Sequence, residues 1–170
     1  MPFINVEIKA KLRNPALVRS YLVQNKAEYK GIDHQVDTYF NVIKGRLKLR
    51  EGNIETNLIY YERDTQPGPK TSRFQLVKIG DPTAFKKALE SALGIKVIVK
   101  KEREIYFIKN VKIHIDHVPA LGSFIEIEAG NMLADHSMKE LEEQCRYYLK
   151  QFGIKQEDLI AESYSDMLLK

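Results

Sequence analysis

Leu121-Gly-Ser-Phe-Ile-Glu-Ile-Glu128 alternates between apolar and polar side chains, the pattern of a β-strand whose successive residues point to opposite faces. Phe124, Glu126 and Glu128 share one face, and Ile125 and Ile127 the other. The isoleucines require a core, so the carboxylates point away from it. Carboxylates two residues apart on a strand stand roughly 7 Å apart. They repel each other unless a cation lies between them, and oxygen pairs of this kind hold hard divalent ions. The competing reading is a solvated outer sheet face.

The rest of the chain favours the first reading, because several other strands also carry charge opposite their apolar residues. Asn5 to Leu12 places Asn5, Glu7, Lys9 and Lys11 on one face and Val6, Ile8, Ala10 and Leu12 on the other. In Arg46-Leu-Lys-Leu-Arg50 the three bases share a face, opposite Leu47 and Leu49. Further strands are expected at Gln35 to Val42, Asn57 to Arg63, Thr71 to Lys78, Lys96 to Lys109 and Val111 to His117. The Lys96 to Lys109 strand is ambiguous, because Lys101 and Arg103 lie on one parity and Lys100, Glu102 and Glu104 on the other.

Helices intervene. Asn14-Pro15 and Asp81-Pro82 each offer a cap followed by proline at the first helical position. The first helix runs to about Gln24 with an apolar face of Leu17, Val18, Tyr21 and Leu22. The second ends at Gly94. Ser137-Met-Lys-Glu140 is a capping box that opens a helix to Phe152, whose stripe of Leu141, Cys145, Tyr148 and Phe152 makes Cys145 a core residue. The tail from Asp158 to Leu169 reads as a short helix docking on the surface.

The tally is seven or eight strands with helices between them, the apolar faces turned out to the helices and the charged faces turned in. An antiparallel barrel satisfies this and removes the sheet edges. The expected class is therefore α+β, a barrel with a charged interior and helices packed outside. A single domain spanning residues 1–170 suits the length.

Hydrophobic residues at 44% and charged residues at 29% are ordinary for a globular chain, and the net charge of +4 is mildly basic. One cysteine allows no internal disulfide, which suits a reducing cytosol. The first residues lack a signal-peptide pattern, and no apolar run has membrane-spanning length. The four histidines lack zinc-ligand spacing, and His114 and His117 fall on opposite faces of one strand, so no histidine is expected in the site. No glycine-rich phosphate loop precedes a helix.

The candidate inward groups are the bases Lys9, Lys11, Arg46, Lys48, Arg50, Arg63, Lys101 and Arg103 and the acids Glu7, Asp116, Glu126 and Glu128. A bound polyanion with a metal satisfies both sets: phosphate oxygens take the Lys and Arg contacts, and the ion bridges phosphate to carboxylate. Interlocked salt bridges across the barrel are the alternative, and buried pairs of that kind barely repay their desolvation.

The motifs Asn5-Val-Glu-Ile-Lys9, Asp37-Thr-Tyr39, Arg46-Leu-Lys-Leu-Arg50, Tyr60-Tyr-Glu-Arg63, Lys101-Glu-Arg103, His114-Ile-Asp116, Phe124-Ile-Glu-Ile-Glu128 and Ser163-Tyr-Ser-Asp166 stand in the order of a known family. Across essentially the whole chain they resemble the CYTH family, the triphosphate tunnel metalloenzymes, which includes class IV adenylyl cyclases and thiamine triphosphatases. The resemblance implies an eight-stranded antiparallel tunnel that binds a triphosphate with Mg²⁺ or Mn²⁺. It implies Glu7, Glu126 and Glu128, with Asp116 near them, as metal-binding carboxylates. Lys9, Lys48, Arg50 and Arg103 are implied as phosphate binders; Arg63 matches less closely, and Arg46, Lys11 and Lys101 rest on strand parity. Lys9, Arg103 and Asp116 are the expected catalytic groups. Asn5 stands where the family signature begins with Glu, which keeps an oxygen and drops a charge, so one ion is expected to be held well and a second poorly.

The expected function is metal-dependent hydrolysis of an inorganic, nucleoside or thiamine triphosphate. Two alternatives use the same site: a class IV adenylyl cyclase making cyclic AMP and pyrophosphate, and a non-catalytic triphosphate or polyphosphate sensor. Nucleic-acid binding is not expected, because alternation turns the bases inward. Neither is a membrane partner, and a cytoplasmic monomer or homodimer is the expected state.

Overall fold

The carboxylate strand is β8, Gly122–Gly130, and it lies between β1, Phe3–Lys11, and β7, Val111–Val118. The computed structural model describes residues 3–132 and 134–170. The remaining strands are β2, Glu28–Phe40; β3, Arg46–Glu51; β4, Thr56–Arg63; β5, Lys70–Lys78; and β6, Ile95–Ile108. All pair antiparallel and close into an eight-stranded barrel in the order β1-β5-β4-β3-β2-β6-β7-β8.

Alternation decides which face of each strand goes where. Val6, Ile8 and Ala10 of β1, Ile113 of β7 and Ile125 and Ile127 of β8 form one buried outer layer. Val18 and Leu22 of helix α1, Pro15–Gln24, and Leu141, Cys145 and the adjoining Phe152 of α3, Met138–Gln151, complete it. Each of the valines, leucines, isoleucines and Phe152 contributes about 1.5–3 kcal/mol on burial, so this layer holds the barrel wall against the helices. The caps expected from sequence are present: Asn14 accepts from the Leu17 N–H, Asp81 from the Ala84 N–H, and Ser137 and Glu140 form the capping box. Leu17, expected on the buried face of α1, is instead 45% exposed. The second helix, α2 at Pro82–Leu93, buries no residue fully. The ambiguity of β6 resolves by neighbours. Lys101 and Arg103 face in, while Glu104 faces out and takes a forked pair from Arg19 of α1 at 3.0 and 2.6 Å.

Two elements differ from expectation. Strand β2 begins at Glu28 rather than Gln35, because Glu28 to His34 lacks alternation and pairs with β6 through an irregularity between Tyr29 and Gly31, where Gly31 takes φ +112°. The tail does not dock on the outer surface. Ile160 N–H donates to the Lys9 carbonyl at 2.9 Å, and the chain then turns over one end of the barrel. There α4, Tyr164–Leu168, lowers Tyr164 into an apolar cluster with Tyr39, Val99, Val118 and Phe124. The reason is polar: the Tyr164 hydroxyl donates to Asp116 at 2.7 Å, and a buried phenol needs such a partner.

A five-residue helix cannot stand alone, and Arg46 of β3 anchors this one by donating to Ser163 Oγ at 2.6 Å and Asp166 Oδ2 at 3.0 Å. Arg46→Ala removes charge-assisted bonds of about 1.5–3 kcal/mol in all. Hydrogen exchange should accelerate roughly tenfold or more in residues 160–169 and stay unchanged in β1 and β8. Unchanged exchange in the tail would show that Arg46 does not hold it.

Candidate functional site

The inward side chains surround a cavity of about 340 Å³. Its first wall is organised by Asp37, which faces Arg50 across the β2–β3 pair. Arg50 donates to both Asp37 oxygens at 2.8 Å, Lys101 donates to Oδ2 at 2.8 Å, and Lys48 Nζ lies 3.2 Å from the same oxygen. Burial alone would raise the Asp37 carboxyl, but Arg50, Lys101 and Lys48 overcome it and hold the group well below the usual carboxylate range. One carboxylate thus gathers three cations, which leaves a local excess of positive charge facing the cavity. The strain shows on Lys101, which burial pushes down to about 7 despite Asp37.

The second wall carries the acids. Arg103 forks onto both oxygens of Asp116 at 2.7 Å, a bidentate geometry, and its Nη2 also donates to Glu126 at 3.0 Å. Glu7 accepts from Arg63 at 2.9 Å. The β1–β8 register sets Glu7 opposite Glu128 and Lys9 opposite Glu126. Burial lowers Lys9 to about 8, with Arg63 and Lys70 adding to the effect against Glu126 and Glu7. Burial also lifts Glu128 to about 7, helped by repulsion from Glu126 and Glu7. His114, registered opposite Glu126, is 1% exposed; burial and then Arg103 lower it to about 3, so the ring is neutral. Ligand atoms of His114, Glu126 and Glu128 lie within 4.8 Å of one another.

Most expected site residues come together here. Lys9, Lys48, Arg50, Arg63, Lys101, Arg103, Glu7, Glu126 and Glu128 all line the cavity, as does Asn5. Three do not. Lys11 is exposed at the end of β1, where the strand has run past the cavity. Arg46 is spent on the tail. Asp116 is fully buried with its oxygens engaged by Arg103 and Tyr164, so it sits behind Arg103, away from the cavity. Sequence reasoning assigned no role to Asp37, although it stands in a quoted motif with the inward parity of Tyr39. It also passed over Glu55, which accepts from Arg50 and Lys112 at 3.3 Å, and Lys70, whose ammonium donates to the Ile160 and Ala161 carbonyls at 3.3 and 3.0 Å. Glu55 sits in a turn with no periodicity to mark it, and the partners of Lys70 lie far along the chain.

A divalent ion fits this donor set. Glu126 and Glu128 supply oxygens, Glu128, lifted to about 7, would release its proton to an ion, and among the described residues His114 has no hydrogen-bond partner for either ring nitrogen.

Titration offers a direct check. Between its ordinary 4.5 and its folded value of about 7, Glu128 keeps a proton that the unfolded chain has already released, so rising pH weakens the folded state. The slope is at most about 1.4 kcal/mol per pH unit. His114 acts oppositely below its ordinary 6.5, so the two largely offset in the wild type. Glu128→Gln deletes only the first contribution. In metal-free buffer its melting temperature should gain on that of the wild type as pH rises from about 5 to about 7. A constant difference would show that Glu128 titrates as an ordinary carboxylate.

Over 181 aligned positions the chain is 28% identical to a Methanocaldococcus jannaschii protein named "Putative adenylate cyclase", covering 96% of this chain and 98% of that one. A Vibrio parahaemolyticus structure described as a "putative adenylate cyclase" superposes with a TM-score of 0.78 at 18% identity, covering 98% of each chain. A Pyrococcus horikoshii structure superposes with a TM-score of 0.75 at 20% identity, covering 95% of this chain and 98% of that one. These two likenesses speak for the fold. The match that reaches further is to the CYTH domain over residues 4–164, nearly the whole barrel and its tail, and by it the chain belongs to the CYTH family.

Proposed function

We propose that this chain is a metal-dependent enzyme that binds a small triphosphate inside the barrel and hydrolyses it. The observation that carries the reading is the convergence of Lys48, Arg50, Lys101 and Arg103 on one cavity opposite Glu7, Glu126 and Glu128. A triphosphate presents a row of anionic oxygens, and forked guanidiniums and ammoniums are the groups that match it. Family membership supports a divalent ion, with Glu126, Glu128 and Glu7 as its holders; when bound, it would neutralise phosphate charge.

The chain's own residues would do the rest by positioning. Asp37 fixes Arg50 and Lys101 before substrate arrives, so little ordering is left for the binding step. Asp116, held by Tyr164, does the same for Arg103. Lys9 lies 4.0 Å from the Tyr164 ring and, with its lowered proton affinity, lines the cavity beside Glu126, its partner in the β1–β8 register. In hydrolysis water attacks the terminal phosphorus, the bond to the bridging oxygen breaks, and that oxygen leaves with the remaining diphosphate.

One observation favours a second reading. Ile59, Phe74, Leu76 and Val99 give the cavity an apolar stretch, which inorganic tripolyphosphate does not need and a nucleoside would. With a ribose hydroxyl as nucleophile and the α-phosphorus as target, the same bases would serve an adenylyl cyclase, as the names of the M. jannaschii and V. parahaemolyticus proteins suggest. Among the described residues no helix is long and apolar enough to cross a membrane, and a dissolved small molecule is the substrate of either reading.

Purified protein with Mg²⁺ or Mn²⁺ should release phosphate from tripolyphosphate, thiamine triphosphate or ATP. Cyclic AMP with stoichiometric pyrophosphate would replace hydrolysis with cyclisation, and tight binding without product would leave a sensor. Variants of the bases should separate binding from stability. Lys48 is the most open of the cations on Asp37, so Lys48→Ala should keep the fold and weaken triphosphate binding roughly tenfold or more. Arg103→Ala strands the fully buried Asp116 and should cost about 3–5 kcal/mol of stability. Equal triphosphate affinity in Lys48→Ala and wild type, measured by calorimetry, would remove Lys48 from the binding surface.

A further inference from the structure

His114 stands on β7 with its side chain turned inward between Lys112 and Asp116, in register with Glu126 of β8. It is 1% exposed, and among the described residues neither Nδ1 nor Nε2 has a hydrogen-bond partner. An unpartnered buried imidazole is unfavourable, and a fold tolerates that cost most readily where the lone pair has another use. The atoms it would coordinate beside are at hand, since its ligand nitrogen and the Glu126 and Glu128 oxygens lie within 4.8 Å of one another. Two ligands on one small divalent ion stand about 3 Å apart in cis and about 4 Å in trans, from bonds of about 2.1 Å. Side-chain movements of at most about 2 Å bring this trio to that spacing. The exposed His34 and His117 lie outside the cluster.

We propose that His114 is a direct ligand of the divalent ion in this barrel, forming with Glu126 and Glu128 a mixed nitrogen–oxygen site that prefers a first-row transition ion to magnesium. The inference rests on the metal-dependent reading above and specifies its ion site. Mg²⁺ favours oxygen donors and retained waters, whereas an imidazole nitrogen strengthens binding along the series from Mn²⁺ to Co²⁺ and Zn²⁺. The nitrogen also supplies a donor without charge. With Asn5 beside Glu7 in place of a further carboxylate, such a site holds an ion without the repulsion of one more anion.

Pulsed electron paramagnetic resonance on the full chain with Mn²⁺ and tripolyphosphate tests this without relying on turnover. The wild type should show coupling to a directly bound ¹⁴N together with ³¹P coupling from the phosphate. His114→Gln should lose the ¹⁴N signal and keep the ³¹P signal, while His117→Gln on the exposed face of the same strand should keep both. Phosphorus coupling without nitrogen in the wild type would overturn His114 as a ligand and leave the triphosphate reading standing. Loss of both signals in the wild type would overturn the two together. The wild-type spectrum decides the point even if His114→Gln folds poorly. In calorimetry, His114→Gln should lower Co²⁺ affinity about tenfold or more and change Mg²⁺ affinity less than about twofold. Equal losses for the two ions would assign the ring a structural role only.

Discussion

A guanidinium cannot shed its charge, so burying one requires an anion in contact with it. In this barrel that requirement is met by Arg103 on Asp116, with 3% and 0% of their side chains exposed. Much of the interior follows from the pair. Arg103 spends its Nε proton and one Nη2 proton on Asp116, and the second Nη2 proton goes to Glu126. Because Asp116 also accepts from Tyr164, the tail is drawn over the end of the barrel and the aromatic cluster around Phe124 is completed. Asp37 repeats the arrangement on the facing wall with Arg50 and Lys101. The outer layer of isoleucines and helices holds the wall in place, but it is these ion pairs that settle where each interior charge points.

Periodicity carried the reading a long way because a barrel is a strict use of it. The alternation in β8, β1 and β3 identified both the strands and the inward faces, and the family motifs supplied their number. What failed was whatever depends on the chain meeting itself at a distance. Asp37 is a hub only because β3 and β6 bring Arg50 and Lys101 to it from 13 and 64 positions away. His114 was set aside by a rule about spacing along the chain, whereas its neighbours Glu126 and Glu128 come from the adjacent strand. Asp116 reads as one more acid until Arg103 and Tyr164 are seen to occupy it. The start of β2 was illegible for a local reason, since Tyr29 to Gly31 breaks the two-residue period.

The tail is a further case. Its polar and apolar residues suit a surface helix, and nothing within it announces that Tyr164 belongs inside. The contacts that seat it come from four strands: the Lys9 carbonyl of β1, Lys70 of β5, Arg46 of β3 and Asp116 of β7. Lys9 and Lys70 both touch tail carbonyls, Lys9 donating to Glu162 at 3.5 Å. Groups that would otherwise be loose charges in the interior are thereby given partners, while the bases of the Asp37 wall and Arg103 find theirs in acids along the cavity.

The pairing of β1 with β8 closes the barrel, joining segments more than a hundred residues apart. Such a contact is slow to find, because the entropy of a long loop is lost before the contact returns anything. Glu7 lies on one side of that seam and Glu126 and Glu128 on the other. A chain with the other seven strand pairings in place and the seam open would therefore have the Asp37 wall but no complete set of acids. Binding competence then arrives in one step with closure, and an ion held by residues from both edges would act as a clasp, slowing the reopening of the last joint made.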